Sequence, residues 1–298
     1  MAKKYIQITE RDISVLSALA KFYVLSAPLL KRLCFPSHKN TRGTRDRLQR
    51  LKEHGLINRS RGQIAFSSGN CGSVYFLTAK GTSTLSVWFD DPAYLAINVR
   101  EPRTDLLNHW LAVTETHTIV EAAIAGQQLV TLDGWLNEWE VVNKDDNEKK
   151  QFTLHTHFSD SPPLSCSPDA GFLLSIGDAK KVVYLEQDRA TTDPRRLAHK
   201  KIKGFAELFK RQGHLKHFPE ATLQRFTVLV VTTDAQQRNA IAREVGKLKD
   251  FHPDLWLFVD QNELTPETFL HEPITYNCDL EAGPLIKKPA DAPVEVSA

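Results

Sequence analysis

Cysteine is scarce: Cys34, Cys71, Cys166 and Cys278 are scattered and never fall in C-x-x-C spacing. Thiolate metal clusters and dithiol redox motifs need that spacing, so reduced or incidental thiols of a cytoplasmic protein are expected. No apolar run approaches the ~20 residues that span a bilayer. The basic start Met1-Ala2-Lys3-Lys4 has no apolar core behind it, so no secretory signal is expected. A glycine-rich phosphate loop is missing, which argues against nucleotide hydrolysis. So is a Gly-x-Ser-x-Gly elbow, which argues against an ordinary serine hydrolase.

What the sequence does have is an uneven charge. Residues 1–64 hold 14 Lys and Arg against 4 Asp and Glu, whereas the whole 298-residue chain holds 38 against 36. A basic region ahead of an acidic remainder suggests that the first part meets a polyanion, and the length allows two domains.

The first part reads as three helices and a hairpin. Thr9 can cap a helix over 10–25, with Asp12 in its first turn and an apolar stripe of Ile13, Leu16, Leu19, Ala20 and Tyr23. Pro28 suits the start of a short second helix. A third helix, over 41–54, stops at Gly55, with Leu48 and Leu51 on its inner side. Arg42, Arg45 and Gln49 face outward, flanked by Arg47, Arg50 and Lys52. Strands over 56–59 and 74–78 enclose a tip at 62–72, and a closing helix covers 78–89. This order is that of a winged helix-turn-helix, whose third helix enters the major groove while the hairpin, with Arg59 and Arg61, reaches the backbone or minor groove.

A connecting segment follows at 90–104. The second domain, 105–262, reads as a helix over 105–126, strands over 134–142 and 152–158 around a charged turn at 144–150, and a Ser/Pro-rich loop over 159–167. Two central strands come next, Phe172 to Ile176 and Lys181 to Asp188, joined by Gly177-Asp178. A helix over 194–212, a strand over 225–232, a helix over 235–248 and a strand over 255–259 complete an α/β order. From Glu263 prolines accumulate, and 263–298 reads as an extended tail.

The chemistry gathers at the two central strands. Alternation puts Tyr184, Glu186 and Asp188 on one face, and pairing across the turn brings Asp169 toward them. Converging carboxylates with a nearby lysine suit a divalent metal and a phosphodiester. This order resembles the PD-(D/E)xK restriction-endonuclease-like core. The resemblance implies that Asp169 and Glu186 hold Mg²⁺ or Mn²⁺ and that a lysine helps activate water. The usual lysine position, two residues after the second acid, is Asp188 here, a further candidate ligand. Lys201, from the following helix, is the best-placed substitute, and Lys200 is second.

A narrower likeness rests on Thr9-Glu10-Arg11-Asp12, on Arg47-Leu48-Gln49-Arg50-Leu51 with Gly55-Leu56, and on Tyr75-Phe76-Leu77-Thr78-Ala79-Lys80-Gly81. His109, Pro168-Asp169 and Leu185-Glu186-Gln187-Asp188-Arg189 complete it. Together they resemble the replication-relaxation family of plasmids and mobile elements, similar to MOBC-class mobilisation relaxases. The resemblance implies a two-domain α+β or α/β protein, a winged helix at 1–89 followed by the nuclease-like core. It also implies a cytoplasmic DNA-binding protein that nicks DNA with a metal, or a regulator with a degenerate nuclease fold. Double-stranded DNA, other mobilisation or replication proteins and a homodimer are the implied partners, with no membrane.

Rival chemistries carry less. His155-Thr156-His157 has the spacing of the histidine pair in tyrosine-dependent nicking enzymes, but Tyr184 lies on a strand and the central residue is not bulky and apolar. A zinc site of His155, His157 and Cys166 has no standard spacing. His109 reads as an ordinary helix residue, and Glu115 and Glu121 as acids within reach of a metal or simply solvated.

Overall fold

The computed structural model describes residues 7–37, 39–65, 71–141, 152–190, 193–248 and 251–287. The chain divides into two compact units, residues 1–115 and 116–298, and combines helices with a large mixed sheet. Among the described residues no helix is long and apolar enough to cross a membrane.

The first unit opens with α1 (Glu10–Phe22), β1 (Leu25–Ser26), α2 (Ala27–Cys34) and α3 (Arg42–Glu53). It continues through β2 (Ile57–Ala65), β3 (Cys71–Leu77), α4 (Ala79–Phe89) and a 3-10 turn at Pro92–Ala96. Thr9 and Asp12 form a reciprocal capping box: the Asp12 N–H donates to Thr9 Oγ1 at 3.3 Å, and the Thr9 N–H donates to Asp12 Oδ2 at 2.9 Å. The first helix ends earlier than its apolar stripe suggests. Tyr23 takes φ +63°, which breaks the helical ladder and turns Leu25 and Ser26 into a strand beside β3. Leu16, Leu19, Leu30, Leu48 and Leu51 are fully buried in one core, each contributing roughly 1.5–3 kcal/mol on removal from water.

Helix α5 (Leu107–Ile124) runs on from the first unit, and Gly126 at φ +87° supplies the left-handed turn after it. The second unit then holds β4 (Val130–Asn137), β5 (Thr156–Asp160), β6 (Pro163–Cys166), β7 (Ala170–Ile176) and β8 (Ala179–Gln187). After these come α6 (Pro194–Lys210), α7 (His214–His217), β9 (Thr227–Thr232), α8 (Ala235–Gly246), β10 (Trp256–Asp260), β11 (Thr275–Tyr276) and β12 (Ala282–Gly283). Seven strands form one sheet in the order β12-β11-β10-β9-β8-β7-β4. Its centre, β8-β9-β10, is parallel because α6 and α8 provide the crossovers; its flanks are antiparallel.

Alternation along the strands sorts the two faces. Leu173, Tyr184, Val228, Val230, Trp256 and Phe258 pack on one side with Ile202, Phe205 and Leu208 of α6 and Ile241 and Val245 of α8. On the other, Phe172 stacks on Trp135, which stacks on His117. The Thr116 hydroxyl donates to Gln187 Oε1 at 2.9 Å there.

Other segments also differ from expectation: β2 and β3 run further into the 62–72 tip, and β5 starts later than 152. The 159–167 loop contains β6, which pairs with β5 as a separate hairpin. Strand β4 starts and ends earlier than 134–142, and the charged turn at 144–150 lies outside the described residues, as does part of the 62–72 tip. The described part of the tail is not merely extended: β11 and β12 add to the sheet, and Leu264, Phe269, Leu270, Leu285 and Ile286 are buried. Prolines 266, 273 and 284 sit in loops between these apolar anchors, so proline content alone misreads a segment that the sheet edge recruits.

Candidate functional site

A two-residue turn sets the geometry of the second unit. Ile176 pairs with Ala179, leaving Gly177 and Asp178 as the turn, and Gly177 takes φ +57°, as a tight hairpin requires. The ladder then runs without slippage to Ala170 opposite Leu185. One step further, the Asp169 N–H donates to the Leu185 carbonyl at 3.1 Å, so Asp169 stands across from Glu186. Directly opposed residues of an antiparallel pair share a face. Both acids therefore point toward α6.

Helix α6 brings the cation. Asp193 caps it by accepting from the Arg195 and Arg196 N–H groups, and Pro194 starts it. Gly204 lets the helix lie against β6: a Cβ there would stand 2.6 Å from the Ser165 carbonyl oxygen. One turn earlier, Lys201 Nζ lies 2.7 Å from Glu186 Oε2 and 3.4 Å from Asp169 Oδ1, and donates to the Ser167 carbonyl at 3.0 Å. Lys200 is exposed.

The electrostatics are uneven. Glu186 is 3% exposed, and its Oε1 is buried with no hydrogen-bond partner. Burial first, then the charges of Asp169 and Glu138, push its carboxyl up to about 8, against the opposing pull of Lys201. Burial alone would lower Lys201, but Asp169 and Glu186 hold its ammonium well above the usual lysine range. Asp188 is also buried and raised, by burial and by Asp169, and its Oδ2 accepts from Gln237 Nε2 of α8 at 3.0 Å. It sits at the same sheet end but is held by α8.

Glu138 belongs to this neighbourhood and was not singled out from the sequence. Its carboxylate oxygen can lie within 4.8 Å of one from Asp169. A register shift between Leu132 and Gly134 decides its position, and nothing in the local residue pattern announces that shift.

The first unit presents its own surface. Arg42, Arg45, Gln49 and Arg50 are exposed on α3, and Gln49 bonds to Glu53 at 2.9 Å. Lys52 and Arg59 are half-buried, and the side chain of Arg61 lies outside what the structure describes. Arg47 differs from its neighbours: its guanidinium grips the Asp12 carboxylate through Nε and Nη2, which ties α3 to the start of α1. That pairing answers to the fold rather than to an open groove.

The rival residues go separate ways. His155 bonds to Ser167 at 2.6 Å and His157 pairs with Asp160 at 3.2 Å. Tyr184 is buried, its hydroxyl 2.6 Å from His217 Nδ1. Cys166 is buried, and no disulfide involves Cys34, Cys166 or Cys278. Glu121 pairs with His117 at 3.2 Å, and Glu115 lies 3.9 Å from Arg32.

No curated protein and no solved structure matches the chain. The model of the replication-relaxation family matches residues 16–220, most of the chain, including the α3 surface, the β7–β8 hairpin and Lys201. The chain belongs to the replication-relaxation family.

Proposed function

We propose that the protein binds DNA of a plasmid or other mobile element and nicks it during replication, relaxation or mobilisation. In this reading the first unit is a winged helix whose α3 presents Arg42, Arg45, Gln49 and Arg50 to the major groove. The second unit is a restriction-endonuclease-like core. Family membership supports the DNA-related role. A single observation supports the chemistry: Asp169 and Glu186 converge on one ammonium, Lys201, while Glu186 Oε1 stays buried and without a hydrogen-bond partner.

Those residues fit a hard divalent cation. Carboxylate oxygens are the donors that Mg²⁺ and Mn²⁺ prefer, and an unpartnered buried oxygen is costly unless a cation answers it. Asp169 and Glu186 would hold the ion, which when bound would supply charge stabilisation at the scissile phosphate and a more acidic water. Lys201 would orient the attacking group and offset developing charge from its station above Glu186. Asp188, fixed by Gln237, would hold the end of β8 and act as a further acid at the rim.

A second reading, a non-catalytic DNA-binding regulator, draws on the same pairing, because Lys201 already partly neutralises both acids. One experiment separates the two. Supercoiled plasmid carrying the protein's own locus is incubated with Mn²⁺ and either the unaltered protein or an Asp169→Ala/Glu186→Ala variant. Open circles from the unaltered protein alone support nicking; identical lanes with DNA binding retained leave the regulator. Arg42→Ala/Arg45→Ala should weaken binding to that DNA at least about tenfold and lower the salt slope by about 2. Unchanged binding would remove α3 from the interface.

A further inference from the structure

Helix α6 is cationic in a part of the chain that is not. Beyond residue 64 acids outnumber Lys and Arg, yet from Pro194 to Ala206 this helix holds Arg195, Arg196, Lys200, Lys201 and Lys203 and no acid. Its apolar residues Ala198, Ile202, Phe205 and Leu208 are buried against the sheet. Helical spacing turns Arg195, Arg196, Lys200 and Lys203 away from them, and all four are exposed. Among the described residues none of these four side chains has an ion pair or a hydrogen bond. The other end of the helix differs, since Glu207 pairs with Lys210 at 3.7 Å and Arg211 at 3.0 Å.

This placement of charge works against the helix. Aligned peptide dipoles leave the first turn of a helix positive, so acids stabilise it and cations do not. Helix α1 follows that rule with Glu10 and Asp12, whereas the first turn of α6 holds Arg195 and Arg196 and, beyond the Asp193 cap, no acid. Arg196 and Lys200, at i and i+4, and Lys200 and Lys203, at i and i+3, add repulsion along the face. The face also adjoins the acid–lysine centre. Lys201, next in the chain to Lys200, is the residue that reaches Glu186 at 2.7 Å and Asp169 at 3.4 Å. Both exposed lysines thus lie within one helical turn of it.

We propose that the exposed face of α6 is a second DNA contact, on which Arg195, Arg196, Lys200 and Lys203 hold the sugar–phosphate backbone beside the acid–lysine centre. This rests on the DNA reading above. A row of phosphates outside the helix relieves the repulsion within it and answers four cations that no described residue neutralises. Such contacts read no bases, so α6 holds DNA in place and leaves selection of the site to another surface. An anionic membrane offers similar charge, but the apolar residues of α6 are buried in the core and cannot enter a bilayer.

The test is salt-dependent DNA binding by the full chain, read by fluorescence anisotropy without metal. The probes are a duplex from the protein's own locus and an unrelated duplex of equal length. The variant Arg195→Gln/Arg196→Gln/Lys200→Gln/Lys203→Gln is compared with Arg42→Ala/Arg45→Ala, each checked by circular dichroism. The α6 variant should bind both duplexes at least about tenfold more weakly, with a salt slope lower by about 3. Its melting temperature should hold or rise, which separates weaker binding from unfolding, and the charge-conserving Arg196→Lys/Lys200→Arg should bind normally. Native affinity and slope in the α6 variant, alongside weakened binding in the α3 variant, overturn the α6 contact and leave the DNA reading standing. A loss confined to the own-locus duplex overturns the backbone assignment. Loss of binding to phosphatidylserine vesicles in the α6 variant, with DNA binding unchanged, gives the face to a membrane instead. No DNA binding by the unaltered protein overturns the proposed function, and the role of α6 with it.

Discussion

Each unit buries an acid against a base, and the two pairings are built differently. In the first, Asp12 is fully buried and meets one guanidinium, that of Arg47, together with the hydroxyl and N–H of Thr9. Burial alone would raise its carboxyl, yet hydrogen bonds from Arg47 and Thr9 bring it below the usual aspartate range. In the second, one ammonium faces Asp169 and Glu186, with Glu138 acting on the same carboxyl, and Glu186 is pushed up to about 8. A balanced, fully bonded pair fixes a fold. An unbalanced one stores unfavourable energy that a ligand can relieve, which is why perturbed groups gather at functional sites.

The largest test of that contrast is Arg47→Ala. It strands a buried carboxylate and should cost about 3 kcal/mol, read as a lower midpoint in urea. A loss under 1 kcal/mol would mean that Asp12 is held by its cap and not by Arg47.

The next separates the units by pH. His217 is buried, between the Thr156 and Tyr184 hydroxyls at 2.9 and 2.6 Å. Burial first, then the nearby charges of Lys216 and His214, lower it to about 4. A group whose proton affinity falls on folding gives its full stability above its unfolded pKa of 6.5 and loses it as pH drops toward 4. The expected contribution is about 3 kcal/mol. Asp12, lowered below 3.8, keeps its contribution until more acidic pH. Melting temperatures should therefore fall between pH 6.5 and 4 through the second unit, and His217→Gln should flatten much of that slope. An unchanged slope would assign the loss to other groups.

The smallest effect has the opposite sign. Without metal and above pH 8, where Glu186 is charged, Glu186→Gln should stabilise the protein by about 1 kcal/mol, a rise of roughly 2–4 °C, because it removes a charge that the site disfavours. Destabilisation would make Glu186–Lys201 a structural pair like Asp12–Arg47, and the contrast would fail.

Much of the second unit's centre was readable from the residue order. A Gly-Asp turn between two β-forming runs implies a tight hairpin, the hairpin implies the register, and the register brings Asp169 to Glu186. Helix α6 and Lys201 follow from a proline start and helical periodicity. The rest was not legible, for identifiable reasons. Arg47 shares the helix spacing of its exposed neighbours, and only a distant carboxylate distinguishes it. The tail's prolines outweighed its scattered apolar residues in a reading that cannot see a sheet edge. Asp188 has the right strand parity, but Gln237, 49 positions later, determines what it bonds to.

Contiguous sequence thus determined the helices, the hairpin and the pair of opposed acids, because caps, turns and periodicity act over a few residues. Tertiary structure alone decided that Glu138 comes beside Asp169, that Arg47 answers Asp12, and that the tail extends the sheet. Each of these depends on elements meeting across long separations, where a one-residue shift in register or a single distant partner changes the outcome and leaves no local signature.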